Sequence, residues 1–150
     1  MAGWALGTWI LTAVGGAYLF SFTVGANREE STARASSLPP LMLFLHPLLA
    51  LAGLGVWIGY LYSGEEGLPW VALALLVLTA LLGGLLHLRT ARRTKVHVPS
   101  LQSPDLTPAE NAEANRTRVE DRMPRPVIHL HGALAGITLL LVLLEALDVG

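Results

Sequence analysis

The sequence predicts an all-α membrane protein, an up-and-down bundle of four transmembrane helices, and three observations carry that prediction. Hydrophobic residues make up 53% of the 150 residues, which is more than a soluble domain with a hydrated surface usually has. The apolar residues fall into four blocks, each of about 20 residues, the length that a helix needs to cross a bilayer core. In lipid, segments of this length satisfy their backbone hydrogen bonds as helices, whereas barrel strands are shorter and alternate in polarity.

The four predicted spans cover residues 4–25, 41–62, 68–88 and 127–147, within a single domain over 1–150. The first block has no basic residue before it and exceeds the apolar core of a signal peptide, about 7–15 residues, so we expect it to remain as a span. The connection between the second and third blocks is short and acidic. It predicts an antiparallel hairpin of those two helices.

Basic residues predict the orientation of the bundle. They are concentrated in the connections after the first and third blocks, so the positive-inside rule places both connections in the cytoplasm and both termini outside. We therefore expect an integral protein of a bacterial inner membrane. In the third connection, a capping box at Thr107 to Glu110 predicts a short cytoplasmic helix over 108–122. The four tryptophans fall in the outer half, as an aromatic belt would place them: Trp4, Trp9, Trp57 and Trp70.

Several classes of function are excluded or disfavoured by composition. The chain has no cysteine, so a disulfide framework, a thiolate metal site and an iron–sulfur cluster are all excluded. It shows no Ser-His-Asp pattern and no phosphate-binding loop, so we do not expect an enzyme on its own. Glu145, far from the histidines, is expected to extend outward to the interface. The expected partners are the lipid bilayer and quinone, respiratory membrane subunits or further copies of the chain, but not nucleic acid.

Four of the five histidines lie inside apolar blocks, at His46, His87, His129 and His131. An ionisable residue inside a span is costly and indicates a functional site. Counted along their helices, all four lie within about two turns of the cytoplasmic face, on three different spans. His97, in the polar connection, is expected to face solvent.

Helical phase places small residues beside these histidines. The histidines of the second, third and fourth spans each share a helical face with a glycine; these glycines are Gly53, Gly84 and Gly132. Such glycines usually allow close helix packing, but beside an inward imidazole they also leave room for a flat macrocycle. His129 and His131 are about 200° apart on their helix, so only one of them faces inward. The glycines favour His129 and the depth favours His131, and the sequence leaves both open.

A haem held by two imidazoles needs two neutral histidines that face each other across a dry slot. The second and fourth helices of a bundle are diagonal or adjacent, so His46 with His129 or His131 is the expected axial pair. His87 is then an alternative ligand or a hydrogen-bonding neighbour. Arg89 lies at the rim, where it either pairs with a propionate or serves only as a charge that sets topology.

The segments Leu45-His46-Pro47, Leu86-His87-Leu88 and His129-Leu130-His131-Gly132, in a four-span layout, resemble small membrane b-type cytochromes and haem-bearing membrane anchor subunits. The resemblance implies haem b, electron transfer or haem handling near the cytoplasmic face, and a place in a larger membrane complex. Dihaem members have histidines near both faces, whereas this chain has them near one.

Two other interpretations of the histidines stay open. One is a transition-metal site built from His46, His87, His129 and His131, because three imidazoles from three helices suffice to bind zinc, copper or iron. The other is a structural or assembly subunit without a cofactor.

Overall fold

The computed structural model describes residues 1–25, 40–95, 107–108 and 123–149. This part of the chain contains four helices and no strand: α1 (Ala2–Gly25), α2 (Pro40–Ser63), α3 (Leu68–Lys95) and α4 (Arg125–Val149). The predicted all-α class is confirmed, and this part of the chain has four helices that are long and apolar enough to cross a membrane; α3 continues beyond residue 88, where the predicted third span ends, to Lys95. Most of the helix predicted over 108–122 lies outside the described residues, and so does His97.

Proline and glycine mark the boundaries of α2. Pro40 is its first residue, where the missing backbone N–H costs no hydrogen bond. After Ser63, Gly64 adopts the left-handed conformation (φ 69°) and its N–H donates to the Tyr60 carbonyl oxygen at 2.9 Å, a common helix C-cap. Pro47 lies in the second turn and does not interrupt the helix.

The helices form a closed ring in the order α1, α2, α3, α4. The packing is most extensive between α2 and α3 and between α1 and α4, and less extensive between α3 and α4 and between α1 and α2. The bundle therefore consists of two layers, α2–α3 and α1–α4, that face each other. It also follows that α2 and α4 occupy one diagonal of the ring, and α1 and α3 the other.

Most of the apolar surface of the bundle faces outward. Only 11–17% of each span is buried inside the protein, and side chains such as Leu51, Leu81 and Leu140 are more than half exposed. All four helices are long and apolar enough to cross a membrane. A surface of this kind is stable against lipid and not against water, so the chain is an integral membrane protein.

Two tryptophans form the centre of the buried core. This core lies at the end of the bundle where α1 begins and α4 ends, which we call the terminal end. Trp9 and Trp57 are buried, with ring centres 6.3 Å apart. Gly53 allows this packing, because a Cβ atom there would lie 3.0 Å from the Trp9 ring. The aromatic-belt interpretation is therefore wrong for Trp9 and Trp57.

A carboxylate is buried beside this core. Glu145 is only 9% exposed, and its Oε1 accepts a hydrogen bond of 3.0 Å from the Tyr60 hydroxyl. Its Oε2 lies 3.1 Å from the amino nitrogen of Met1, at ion-pair distance but without hydrogen-bond geometry. The expectation that Glu145 extends outward is wrong, because helical phase turns this position of α4 toward the diagonal helix α2.

Replacing Tyr60 by phenylalanine is expected to lower the free energy of unfolding by about 0.5–1.5 kcal/mol, because Oε1 of buried Glu145 loses its donor. Tyr62→Phe is the matched control, since Tyr62 is 89% exposed and its variant should stay within about 0.5 kcal/mol of the parent. Unfolding of both variants in detergent, followed by circular dichroism, measures the difference. Equal losses in the two variants would contradict the buried hydrogen bond.

Two helices of the bundle occupy positions equivalent to those of the other two. One constant offset along the chain relates positions of α1 to α3: Ala5 and Ala72, Trp9 and Leu76, Thr12 and Thr79, Gly16 and Gly83. A second constant offset relates α2 to α4: Phe44 and His129, His46 and His131, Gly53 and Thr138, Trp57 and Val142, Tyr60 and Glu145. The packing follows the same relation, because α2 on α3 corresponds to α4 on α1. The chain is thus two similar helical hairpins in tandem, related by an approximate twofold rotation about the bundle axis, an arrangement known for membrane proteins with parallel repeats.

Candidate histidine site

Two imidazole rings meet near the centre of the bundle, between its two layers. His46 extends from α2 and His131 from the diagonal helix α4, with ring centres 6.3 Å apart and ring planes inclined by 67°. They lie toward the end of the bundle opposite the Trp9 and Trp57 core. We call this the basic end, because Arg89 and Arg125 lie there.

Both rings are fixed by the same kind of hydrogen bond. His46 Nδ1 lies 3.0 Å from the Thr79 carbonyl oxygen of α3, and His131 Nδ1 lies 2.9 Å from the Thr12 carbonyl oxygen of α1. A carbonyl oxygen only accepts, so Nδ1 of each neutral ring carries the proton and donates it. Nε2 of each ring then keeps its lone pair, which is how metal-binding histidines are commonly held.

A glycine on the neighbouring helix makes room for each ring. A Cβ atom at Gly83 would lie 2.8 Å from His46 Cε1, and one at Gly16 would lie 3.0 Å from His131 Cε1. Each glycine follows, one turn later, the threonine whose carbonyl accepts the hydrogen bond. We call each threonine with the glycine four residues later a cradle, because together they hold one imidazole ring. Thr12 and Gly16 form the cradle on α1, and Thr79 and Gly83 form the equivalent cradle on α3.

These threonine–glycine pairs are not among the residues that the sequence predicts for the site. The predicted glycines lie on the same helix as each histidine, whereas the glycines that contact the rings belong to the neighbouring helices. The repeated spacing in Thr12-Ala13-Val14-Gly15-Gly16 and Thr79-Ala80-Leu81-Leu82-Gly83 was a signal that could have identified them.

The structure decides between the two histidines of α4. His131 faces inward and is partly buried, whereas His129 is exposed. Gly132 and Gly84 have nothing within 4 Å of a Cβ position, so both lie on the outer surface, and Gly53 packs against Trp9. His129, which the glycines favoured, is therefore exposed, and His131, which its depth favoured, is the inward-facing histidine of α4.

A second histidine pair lies at the side of the bundle. The rings of His87 on α3 and His129 on α4 are 6.3 Å apart and inclined by 69°, and both side chains are exposed. The corresponding position between α1 and α2 holds Phe20 and Phe44, with ring centres 5.6 Å apart and an inclination of 76°. The twofold relation therefore extends to these side pairs, but their chemistry differs.

Arg89 lies at the basic end, beyond the central pair. Its Nη1 contacts Met42 Sδ of α2 at 3.1 Å, so its side chain extends over the α2–α3 layer. A thioether sulfur is a weak acceptor. Most of the five guanidinium N–H donors of Arg89 are therefore left for other acceptors, and its predicted pairing with a propionate stays a prediction.

The described histidines form two pairs rather than one larger cluster. In the part of the chain that the structure describes, no group of three or more His, Asp or Glu side chains is arranged to hold a metal ion. No protein-family model, curated protein or solved structure matches this chain. The central pair presents two nitrogen lone pairs within a largely apolar bundle, an arrangement able to bind a metal centre from two opposite sides.

Proposed function

We propose that this chain binds haem b between His46 and His131 and serves in electron transfer or haem handling, as part of a larger membrane complex. The spacing of the two rings, together with the hydrogen bonds that leave both Nε2 atoms unprotonated, carries the proposal; within the described residues, His87 and His129 have the same spacing but no such hydrogen bonds. With metal–nitrogen bonds of about 2 Å, two imidazoles on opposite sides of one metal ion have their ring centres roughly 6 Å apart. The measured distance between the centres of these rings is 6.3 Å.

The tautomers support the same proposal. Axial ligation requires two neutral rings, each with its metal-binding nitrogen unprotonated and its other nitrogen hydrogen-bonded. The carbonyls of Thr79 and Thr12 meet the second requirement for His46 and His131. A backbone carbonyl inside a helix cannot turn away, so the ring directions are set before any ligand arrives. Such preorganisation lowers the entropic cost of binding.

The packing of the helices favours a planar ligand. A flat macrocycle held between His46 and His131 lies between the α2–α3 layer and the α1–α4 layer, where helix packing is least extensive. The bundle around it is formed by apolar spans, which keep water away and so help set the reduction potential of a haem.

The location of the site supports a role at one membrane surface. The described histidines all lie toward the basic end, and the positive-inside rule assigns that end to the cytoplasm of a bacterial inner membrane. A single site at one side does not carry an electron across the bilayer, so a partner subunit or a quinone is required to receive it. The exposed apolar surface of the bundle offers area for such a partner.

A difference spectrum tests this function. The full chain, expressed with ample haem and purified in mild detergent, is expected to show sharp α and Soret bands in a dithionite-reduced minus oxidised spectrum, because six-coordinate b-type haem gives such bands. Elemental analysis of the same sample is the companion measurement. Absence of the bands overturns the haem proposal, and near-stoichiometric zinc or copper without haem would favour the transition-metal hypothesis instead.

A further inference from the structure

Between the two layers, each side of the bundle carries one pair of ring side chains, and we call these two side positions the outlets. The α1–α2 outlet is flanked by Phe20 and Phe44, and the α3–α4 outlet by His87 and His129. These positions correspond under the twofold relation of the two hairpins. The two outlets therefore carry ring pairs of similar arrangement, one apolar and one able to form hydrogen bonds.

The α3–α4 outlet lies beside the central pair and nearer the basic end. On α3, His87 follows Gly83, the glycine under the His46 ring, by one turn. On α4, His129 precedes His131 by two residues. The helical rise therefore places the outlet pair roughly 3–6 Å closer to the basic end than the central pair.

Charge distinguishes the outlets further. Arg125 precedes His129 by one turn on the same face of α4, and its counterpart in α2 is Pro40. The same comparison pairs Arg89 of α3 with Phe22 of α1. At these two described positions, the positive charges of the α3–α4 hairpin correspond to uncharged residues of the α1–α2 hairpin.

The outlet histidines lack a polar partner within the described ranges. Their rings contact each other, and neither makes a hydrogen bond with residues 1–25, 40–95, 107–108 or 123–149. Both side chains are exposed at the bundle surface, beside the exposed apolar side chains of Leu88 and Leu130. A polar ring in that position is costly unless it hydrogen-bonds to another group. An acceptor supplied by a ligand in the adjoining slot would remove this cost.

We propose that His87 and His129 bind the two propionate carboxylates of the haem and so determine its orientation between the two layers. This inference rests on the proposed haem site. Haem b carries both propionates on one edge, and its opposite edge is apolar. The α3–α4 outlet, with two N–H donors and a nearby guanidinium, suits the carboxylates through charge-assisted hydrogen bonds. The α1–α2 outlet, between Phe20 and Phe44, suits the apolar edge.

Arg89 is less well placed than the outlet histidines to bind a propionate. Arg89 extends over α2, where its Nη1 contacts Met42, and not toward the side that His129 occupies. The outlet histidines, rather than Arg89, are therefore the nearest donors to a carboxylate that leaves the slot between α3 and α4.

Binding of haem and of its dimethyl ester tests the orientation. In the ester both carboxylates are blocked, but the macrocycle and the iron are unchanged. The full chain, expressed under haem limitation and purified in detergent, is titrated with each compound and followed by its Soret band. We expect the parent to bind haem about 10-fold more tightly than the ester, since each charge-assisted hydrogen bond contributes appreciably. The double variant H87F/H129F, which copies the phenylalanines of the other outlet, should bind both equally.

The control variant F20L/F44L should retain the preference for haem over the ester. A preference that persists in H87F/H129F overturns the orientation proposal while leaving the central site intact, and so does a parent chain that binds the two compounds equally. The latter comparison needs no variant and therefore holds even if H87F/H129F does not fold. Binding of neither compound by the parent is a different result, because it overturns the proposed haem site itself.

Discussion

Replacing His131 by alanine is expected to abolish stable haem binding, and His46→Ala should do the same. Loss of a residue that only positions a metal ligand commonly costs 10–100-fold in affinity, so loss of the ligand itself should cost at least about 100-fold. The two variants should be equally affected, because the rings occupy corresponding positions in the two hairpins and are held by equivalent hydrogen bonds. The measurement is the amplitude of the reduced minus oxidised Soret band per mole of protein.

His129→Ala is the matched control for this prediction, since His129 lies two residues from His131 on the same helix but is exposed at the surface. It should retain the haem bands, with weaker affinity through loss of a carboxylate contact. His97→Ala is a second control and should retain them fully. Retention by His131→Ala together with loss by His129→Ala would show that the axial assignment is wrong.

Replacing Gly83 by alanine is expected to displace the His46 ring and lower haem affinity about 10–100-fold, as loss of a positioning contact does. The added Cβ atom would lie 2.8 Å from Cε1 and 3.3 Å from Nδ1 of His46. The ring cannot move away without lengthening its hydrogen bond to Thr79. Overpacking of this kind also lowers the free energy of unfolding, by about 1–3 kcal/mol. Soret titration and thermal unfolding without haem measure the two effects separately.

The adjacent glycine supplies the control for this substitution. A Cβ atom at Gly84 meets nothing within 4 Å, so Gly84→Ala should leave haem affinity unchanged and the free energy of unfolding within about 0.5 kcal/mol. Gly16→Ala should fall between the two variants, because its Cβ would lie 3.0 Å from His131 Cε1. Equal behaviour of the Gly83 and Gly84 variants would show that the ring is not confined by α3.

The spans could be predicted from the sequence because one physical requirement dominates them. A helix that crosses a bilayer needs a long apolar run with satisfied backbone hydrogen bonds, and charged or turn-forming residues bound each run here. The expectation that Glu145 extends outward was wrong, because the residue that it meets, Tyr60, belongs to a helix distant in sequence. A carboxylate near the end of a span looks the same in sequence whether it extends outward or inward.

The sequence predicts how deep in the membrane the candidate site lies, but not which residues contact each other there. Counting residues from the membrane face placed His46 and His131 at a similar level, and they do meet. The hydrophobic periodicity does not predict which helices are neighbours, because the outward and inward faces of these helices are similarly apolar. Gly132 therefore looked like part of a site although it faces outward. The equivalence of the two hairpins was also not recognised from the sequence, because only inward positions such as Thr12 and Thr79 preserve the same residue.

Covalent joining of the two hairpins has one further consequence. If two separate, identical hairpins had assembled as a symmetric pair, any substitution would occur twice, and both sides of the assembly would have to carry the same residues. In a single chain each copy can be altered independently. The aromatic pair of Phe20 with Phe44 and the imidazole pair of His87 with His129 can therefore differ within one protein, so that one side stays apolar while the other carries polar side chains.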